Sequence, residues 1–284
     1  MNFGVISNKS TDPKGILHEL ICSKIRNRGC KLIFDIEMEK YEDLNVDHLN
    51  DTEIIISMGG DGTFLNIARQ TAKYKIPIMG VNTGSLGFLS ATDINDIDSA
   101  LDNILKKDFT IDERMMVTAN IIRANEKFGP FNALNDLVIA RGLLTRIVTL
   151  KVFIDDIYVD SFPGDGMIVS TPTGSTGYSL SAGGPVIDHG LDLMLITPIC
   201  PHIMHAKSFI ASPDSTIKIE VLEEGSYSCY LTADGQMGHE LKGGDTIEIT
   251  KSVLGVKVIK FSGSALFNTL RNKIYYRNGK ENEA

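Results

Sequence analysis

Residues 53–63 read EIIISMGGDGT, a run of apolar and β-branched residues that ends directly in a glycine-rich turn. The run 53–58 lacks the polar alternation of a half-exposed strand, so it predicts a strand that is buried on both faces, as in a parallel sheet. Ligands of open α/β sheets bind beyond the carboxyl ends of such strands. The turn 59–63 therefore stands where this fold class places its binding site.

The segments around this strand alternate between strand-like and helix-like patterns. A helix is predicted to begin after Asp12, with Pro13 in its first position, and to stop at Gly29. Further strands are predicted at 2–7, 31–36 and 77–81, and further helices at 64–74 and 96–106. This alternation predicts an open α/β sheet in an N-terminal domain over residues 1–112.

After residue 112 the pattern changes to short strands separated by turn residues such as Gly129-Pro130 and Gly243-Gly244. Strands are expected at 115–122, 133–140, 147–154, 157–162, 217–222, 227–231, 246–250 and 256–261. They predict a β-rich, sandwich-like second domain over 113–261. The remaining segment, 262–284, is expected to hold a helix at 265–274 and a polar tail.

The composition is that of an ordinary globular protein of about two domains, with 284 residues, 43% hydrophobic and 23% charged. The net charge of −8 provides no basic field to capture nucleic acid or anionic lipid. The four cysteines form no C-x-x-C pair, and residues 2–7 read as a strand rather than a signal peptide. No apolar run reaches the ~20 residues of a membrane span. We therefore expect a cytoplasmic protein without nucleic-acid or membrane partners.

The turn 59–63 has the composition of a phosphate-binding loop. Its three glycines bracket Asp61 and would let backbone N–H groups approach a phosphate at a helix N-terminus. The alternative is a plain turn in which Asp61 caps the helix, but a cap does not require three glycines. The turn is not a dinucleotide fingerprint, because Leu65 replaces its third glycine, and the chain has no P-loop.

This turn and several later motifs resemble those of the NAD kinase family. GGDGT is shared with diacylglycerol kinases and, more loosely, with phosphofructokinases, whereas the later motifs separate NAD kinases from both. In chain order the motifs are GGDGT at 59–63, NTGSLGFL at 82–89, Glu113-Arg114, Asn135-Asp136, Asp165-Gly166, STPTGSTGYSLSAGGP at 170–185, TPICPH at 197–202 and ADGQ at 233–236.

The resemblance implies transfer of the γ-phosphate of ATP, or of inorganic polyphosphate, to the 2′-hydroxyl of the adenosine ribose of NAD, giving NADP. Asp61 would be the catalytic base that takes the hydroxyl proton. Gly59, Gly60, Gly62 and Thr63 would bind the phosphate donor. A divalent cation, Mg²⁺, would be bound with the nucleotide rather than at a dedicated protein site.

The resemblance also implies that most NAD contacts come from the β-rich domain, with the site in the cleft between the turn 59–63 and the loops of that domain. Asn135 and Asp136 would hold a ribose, and Tyr178 could stack on a base. Arg146 is equally well explained as a solvated surface arginine, and the polar stretch around Tyr178 could be a passive loop. The implied NAD-binding residues are Asp61, Gly62, Asn135, Asp136, Arg146, Asp165, Thr173, Thr176, Gly177, Tyr178, Ser179, Leu180, Ser181 and Gln236.

Three points stay open at this level. Asp234 could be a turn residue or part of the nucleotide pocket, and we favour the pocket. Gly177 stands where many relatives have alanine, and Pro163 where many bacterial relatives have a basic residue, which leaves the preference between NAD and NADH undecided. A homo-oligomer, dimer or tetramer, is expected because family members are oligomeric. The alternatives in function are a lipid or sugar kinase that shares the turn and a non-catalytic NAD(P)-binding regulator.

Overall fold

A computed structural model describes residues 1–39, 44, 48–84, 87–142, 147–222, 228–261 and 269–271. The chain divides into two compact units, Met1–Glu113 with Val256–Ala284, and Arg114–Gly255. Both divisions fall inside long strands, Thr110–Arg123 and Thr246–Lys260. The stretches 246–250 and 256–261, predicted as two strands, thus form one strand of 15 residues, whose last part groups with the first unit.

The first unit is built on a parallel sheet with the strand order β2 (Lys31–Met38), β1 (Asn2–Asn8), β3 (Ile54–Met58) and β4 (Ile78–Asn82). Val258 pairs in parallel with Ile78 at the β4 side of this sheet. All five residues of β3 are buried, which confirms the prediction of a buried parallel strand. The elements are β1 (Asn2–Asn8), α1 (Ile16–Asn27), β2 (Lys31–Met38), β3 (Ile54–Met58), α2 (Asp61–Thr71), β4 (Ile78–Asn82), β5 (Thr92–Asp93) and α3 (Ile97–Lys106).

Helices α1 and α3 share one apolar core with this sheet. Ile21 and Ile25 of α1 and Leu101 of α3 are almost completely buried, together with Val5 and Ile56 of the strands. Burial of these side chains is the main source of stability for the unit, at ~1.5–3 kcal/mol for each large aliphatic residue. The amphipathic spacing seen in the sequence thus marks the helix faces that pack on the sheet.

Helix α1 begins at Ile16, and the predicted start at Pro13 is wrong. The Asp12 carboxylate still caps the helix, because it accepts the N–H of Ile16 at 3.1 Å and the N–H of His18 at 2.8 Å. Gly15, with φ 63°, turns the chain out of helical geometry between the cap and the helix. The cap therefore acts across a turn, which the Asp-Pro spacing does not reveal.

The second unit is a two-layer antiparallel sandwich. Its strands are β6 (Thr110–Arg123), β7 (Glu126–Ala133), β8 (Asp136–Arg141), β9 (Val148–Ile154), β10 (Ile157–Gly164), β11 (Gly166–Ser170), β12 (Met194–Ile199), β13 (Phe209–Ala211), β14 (Ile217–Val221), β15 (Cys229–Ala233), β16 (Gln236–Leu241) and β17 (Thr246–Lys260). One sheet has the order β13-β12-β11-β8-β15-β16, and the other contains β10-β9-β14-β17 and the hairpin β6-β7.

Apolar residues of both sheets form one core, among them Val117, Leu137, Val169 and Ile219. This arrangement confirms the predicted sandwich-like domain. Strands β7, β11, β12, β13 and β16 were not among the predicted strands. Each lies in a segment where glycine, proline or polar residues obscure the strand pattern.

The predicted turn at Gly129-Pro130 is wrong, because both residues lie inside β7. Within the described part of the chain β7 pairs with β6 alone, so it is an edge strand, where a proline removes no necessary ladder bond. The hairpin turn is formed instead by Ala124 and Asn125, with φ 48° and 67°.

The predicted strand 133–140 is interrupted at Leu134 and Asn135, and β8 begins only at Asp136. The Asp234 carboxylate accepts the N–H groups of these three residues at 3.0, 2.7 and 3.3 Å. Backbone donors that bond to a side chain cannot also extend a strand ladder. A carboxylate about a hundred residues away in sequence thus decides where β8 begins.

The predicted C-terminal helix at 265–274 lies outside the described residues except for 269–271. In the ranges that the structure describes, no helix combines the length and the apolar character needed to cross a membrane. All four cysteines are described, and each is a free thiol.

Candidate active site

The glycine-rich turn joins the buried end of β3 to the start of α2. Gly59 has φ 144°, a backbone conformation that favours glycine. Gly60 is the N-cap residue of α2, which begins at Asp61, three residues earlier than predicted. Gly60 and Gly62 are both exposed at this helix N-terminus. The turn therefore has the backbone access that phosphate binding requires.

A cavity of about 200 Å³ lies beside this turn. Its lining residues are Asn8, Thr11, Met38, Glu39, Gly60, Gly62, Thr63 and Asn66. Thr63 Oγ1 accepts a hydrogen bond from Asn8 Nδ2 at 3.1 Å, which orients the hydroxyl. Side-chain oxygens are the ligands that Mg²⁺ prefers, and N–H and O–H donors suit phosphate oxygens. The donor set of this cavity thus fits a phosphate chain together with a hard divalent cation.

The Asp61 carboxylate is held by backbone donors of the loop after β4. Its Oδ2 accepts the N–H of Phe88 at 3.0 Å, and its Oδ1 accepts the N–H of Leu89 at 3.1 Å. Gly87 allows this approach, because a Cβ there would lie only 2.2 Å from Asp61 Oδ1. Asp61 is partly buried, so the carboxylate is oriented without being sealed from solvent. It is suited to accept a proton from a bound hydroxyl.

In the second unit, three segments meet around Asn135 and Asp136. The turn between β15 and β16 supplies Asp234, which binds their backbone N–H groups. The segment after β11 supplies Thr171, whose N–H donates to the Asn135 carbonyl at 2.9 Å. Gly174 packs so closely that a Cβ there would lie 2.1 Å from the same carbonyl oxygen. The start of β8 is therefore held from two sides.

Asn135 and Asp136 have polar atoms that the fold does not fully use. Asn135 Oδ1 is buried and has no hydrogen-bond partner among the described residues. Burial, with a smaller effect of the Asp234 charge, raises the pKa of Asp136 to about 7. A Cβ on Gly177 would lie 3.4 Å from Asn135 Nδ2 and 3.7 Å from Asp136 Oδ2. The unpaired oxygen next to a carboxyl group can accept a hydrogen bond from the N–H or O–H group of a ligand.

The predicted binding residues at 173 and 176–181 include both exposed and buried side chains. Ser179 is fully buried, and its Oγ lies 3.0 Å from Thr197 Oγ1. Its side chain therefore supports the short helix α4 (Tyr178–Ser181) from within. The residues that are exposed or partly exposed are Thr176, Gly177, Tyr178, Leu180 and Ser181.

Thr173 contacts a buried arginine that we did not assign to the site from the sequence. Arg114 is 2% exposed, and its Nη1 donates to Thr173 Oγ1 at 3.0 Å. This bond ties the 3-10 turn Thr173–Thr176 to β6. The only signal in the sequence was the Glu113-Arg114 motif, whose residues have no local pattern that predicts such a contact.

Asp165, between β10 and β11, pairs with Arg141 at the end of β8. Arg141 Nε donates to Asp165 Oδ1 at 2.6 Å, and the Arg141 N–H donates to the Asp165 carbonyl at 3.0 Å. Burial, followed by the charges of Cys200, Asp165 and Asp136, raises the pKa of Tyr178 above its usual value. Tyr178 therefore lies within electrostatic range of both carboxyl groups. The sequence did not indicate Arg141, which is a single arginine at a strand end.

The remaining residues of the predicted NAD-binding set differ in burial and in the unit to which they belong. Gln236 is buried at the first position of β16. Arg146 lies outside the described residues. Asp61 and Gly62 belong to the first unit, whereas the other described residues of the predicted NAD set belong to the second.

Two family profiles match the chain. The ATP-NAD kinase N-terminal domain matches residues 8–109, which include the turn 59–63, and the ATP-NAD kinase C-terminal domain matches residues 134–261. The NAD kinase of Acetivibrio thermocellus is 41% identical over 283 residues, which cover 98% of each chain.

Two solved structures have the same fold. The yeast NADH kinase complexed with NADH has a TM-score of 0.84 at 20% identity, covering 100% of this chain and 90% of the yeast chain. An NAD kinase from Archaeoglobus fulgidus in complex with ATP has a TM-score of 0.75 at 24% identity, covering 97% of this chain and 99% of the archaeal chain.

Proposed function

The chain belongs to the NAD kinase family, and on this premise we propose how its residues share the reaction. The protein is an NAD kinase that transfers the terminal phosphate of ATP to the 2′-hydroxyl of the adenosine ribose of NAD, giving NADP. A lipid or sugar kinase is excluded because both halves of the chain match NAD kinase domains. A non-catalytic NAD(P)-binding regulator would not need the carboxylate that this chain has at Asp61.

Asp61 is the base of the proposed mechanism. As the ribose oxygen forms its bond to the γ-phosphorus, the bond from that phosphorus to the ADP oxygen breaks, and the hydroxyl proton moves to the Asp61 carboxylate. The two N–H bonds from Phe88 and Leu89 are the observation that supports this role, because they orient the carboxylate. Phosphoryl transfer has a loose transition state, so orientation contributes more to the rate than base strength.

The turn 59–63 binds the phosphates of the donor, for which we propose ATP. The exposed glycines at the N-terminus of α2 support this assignment. The divalent cation that we propose is Mg²⁺, which Glu39 and Thr63 of the adjoining cavity would hold together with the phosphates. When bound, it supplies positive charge that neutralises the triphosphate.

Asn135 and Asp136 hold a ribose of NAD in this proposal. The unpaired Asn135 Oδ1 supports the assignment, because it can accept a hydroxyl hydrogen bond. Tyr178, which is 46% exposed, offers a ring face to a base. Ser179 acts through the position of α4. The other proposed NAD contacts are Asp61, Gly62, Arg146, Asp165, Thr173, Thr176, Gly177, Leu180, Ser181 and Gln236.

The reaction is tested by an assay for NADP formed from NAD, ATP and Mg²⁺ by the purified chain, with NADH and polyphosphate in parallel. Product from NAD and ATP is the expected result. Absence of product with a thermal shift by NAD would contradict the enzymatic proposal in favour of the regulator. The NADH reaction measures the selectivity that Pro163 leaves open.

Gly87→Ala is expected to lower kcat by about 10²-fold, because the added Cβ would displace the Asp61 carboxylate. Steady-state kinetics at saturating NAD and ATP measure this change. Gly84→Ala is the matched control, since a Cβ at residue 84 meets nothing within 4 Å. Equal kcat values for the two variants would show that the position of Asp61 is not limiting.

The affinity for NAD is expected to weaken as the pH falls below the Asp136 pKa of about 7, because the proposed ribose contact uses the ionised carboxylate. The loss should approach tenfold per pH unit, at roughly one bound proton per site. Calorimetric titrations with NAD at about pH 6 and about pH 8 measure this dependence. The Asp136→Asn variant should bind more weakly but show no such slope. An identical slope in the variant would assign the titration to another group.

The same pKa has a consequence for stability. Between its ordinary value of 3.8 and the folded value of about 7, Asp136 is protonated in the folded state and ionised in the unfolded state. Its contribution to the free energy of unfolding therefore decreases as the pH rises through this window. The Asp136→Asn variant should gain thermal stability relative to the wild type between about pH 5 and about pH 8.

We also propose that the protein is cytoplasmic and homo-oligomeric. The free thiols suit a reducing compartment. Ile157, Tyr158 and Val159 of the edge strand β10 are 71%, 53% and 40% exposed, an apolar edge that a second copy would cover. Size-exclusion chromatography with light scattering is expected to give a dimer or tetramer, and a mass of one chain would contradict this proposal.

A further inference from the structure

Three side chains with metal-binding atoms lie together on the first unit, apart from every residue assigned above. His18 and Cys22 are one helical turn apart on α1, and Asp35 lies on β2. One potential ligand atom of each residue lies within 4.8 Å of those of the other two. We propose that His18, Cys22 and Asp35 bind one borderline-soft divalent cation of the Zn²⁺ class.

The chemistry of the three donors selects the ion. Zn²⁺ binds imidazole nitrogen, thiolate sulfur and carboxylate oxygen at about 2.0–2.3 Å, so its ligands are ~3.5 Å apart in a tetrahedron. A group already gathered within 4.8 Å needs only small side-chain movements to reach that spacing. Mg²⁺ prefers oxygen ligands only, so this site is distinct in chemistry from that of the nucleotide cation.

The groups around His18, Cys22 and Asp35 could orient these side chains toward a bound ion. His18 is 5% exposed, and its Nδ1 lies 2.8 Å from Ser7 Oγ. That bond orients the imidazole, as outer partners of metal ligands do. Cys22 is fully buried, whereas the side chain of Asp35 is 45% exposed and gives an ion access from solvent.

One neighbouring charge competes with a bound cation. Arg26 Nη2 lies 3.3 Å from Asp35 Oδ2, and its Nη1 lies 3.0 Å from Glu19 Oε1. The guanidinium neutralises part of the negative charge that the cation would use. The Arg26→Gln variant should therefore bind the cation more tightly than the wild type, which a purely structural cluster would not predict.

The test is a titration of the full chain with Co²⁺ under reducing conditions, followed by the thiolate-to-cobalt charge-transfer absorbance. One equivalent of Co²⁺ should produce the band, Zn²⁺ should abolish it by displacement, and Mg²⁺ should not. Cys22→Ala should lose the band, whereas Cys30→Ser and Cys200→Ser should retain it. These two controls remove the thiols that are partly buried and exposed.

Two surface variants keep the test decisive if Cys22→Ala does not fold. Asp35→Asn should weaken Co²⁺ binding by about tenfold or more, and Arg26→Gln should strengthen it. The proposal is overturned if excess Co²⁺ gives no band, if the band survives in folded Cys22→Ala, or if both surface variants bind like the wild type. The readout does not depend on catalysis, so its failure leaves the proposed kinase mechanism untouched.

Discussion

Asp61→Asn is expected to lower kcat by about 10²–10⁴-fold, the usual contribution of a general base, while NAD binding stays within about twofold of the wild type. The amide cannot take the hydroxyl proton. The carboxylate accepts hydrogen bonds from the backbone N–H groups of both Phe88 and Leu89, one on each oxygen. The amide has a single oxygen and can accept from only one of these two donors. Turnover measures the first effect, and calorimetric titration with NAD measures the second.

The matched control for this variant is Asp98→Asn. Asp98 belongs to the same unit but is exposed at the surface, where it pairs with Lys24 and Arg28. Exposed ion pairs contribute little to stability because solvent screens them, so turnover should be unchanged. A kcat near that of the wild type for Asp61→Asn would show that Asp61 only shapes the turn, and the proposed mechanism would fall.

Gly174→Ala is expected to raise the KM for NAD by about tenfold or more and to destabilise the protein by ~1–3 kcal/mol. The added Cβ would lie 2.1 Å from the Asn135 carbonyl oxygen and 2.5 Å from its carbonyl carbon. Both atoms belong to the backbone, so the collision cannot be relieved by a side-chain rotation. The 3-10 turn or the start of β8 must move, and with it the proposed ribose contact. NAD titrations and urea unfolding measure the two effects.

Gly177→Ala is the control within the same loop. Its nearest neighbour would be the Gly174 carbonyl oxygen at 3.2 Å, a contact that a shift of a few tenths of an ångström relieves. Its φ of −92° lies outside the left-handed region that favours glycine. Nearly normal NAD binding and stability are expected. If Gly174→Ala also bound NAD normally, the close packing on Asn135 would have no part in binding.

Local patterns in the sequence were sufficient for much of the first unit. The buried strand β3 and the helix α3 were predicted because hydrophobic periodicity is set by neighbouring residues. The turn 59–63 was predicted to bind phosphate from its three glycines, from Asp61 between them and from its place at the end of a buried strand, and this role stays a prediction. The β-sandwich architecture of the second unit was also predicted, although not all of its strands were. The roles of the individual site residues remain predictions.

The boundaries of helices and strands, and the hydrogen bonds that hold them, were less predictable from the sequence. Residues that lie outside the element decide them. The start of α1 depends on Gly15 and on a cap that acts across a turn from Asp12. The start of β8 depends on Asp234, which binds three backbone donors about a hundred residues away. No pattern within a window of the sequence contains such information.

The sequence by itself thus determined the fold class, the family and the residues that could carry the chemistry, since these follow from periodicity and from contiguous motifs. Only the tertiary structure decided which of those residues are held in a fixed orientation and which backbone or side-chain groups hold them. The N–H groups of Phe88 and Leu89 hold Asp61, Asp234 binds the backbone before β8, and Arg141 pairs with Asp165. These hydrogen bonds join residues that become neighbours only when burial of the apolar core brings the strands together.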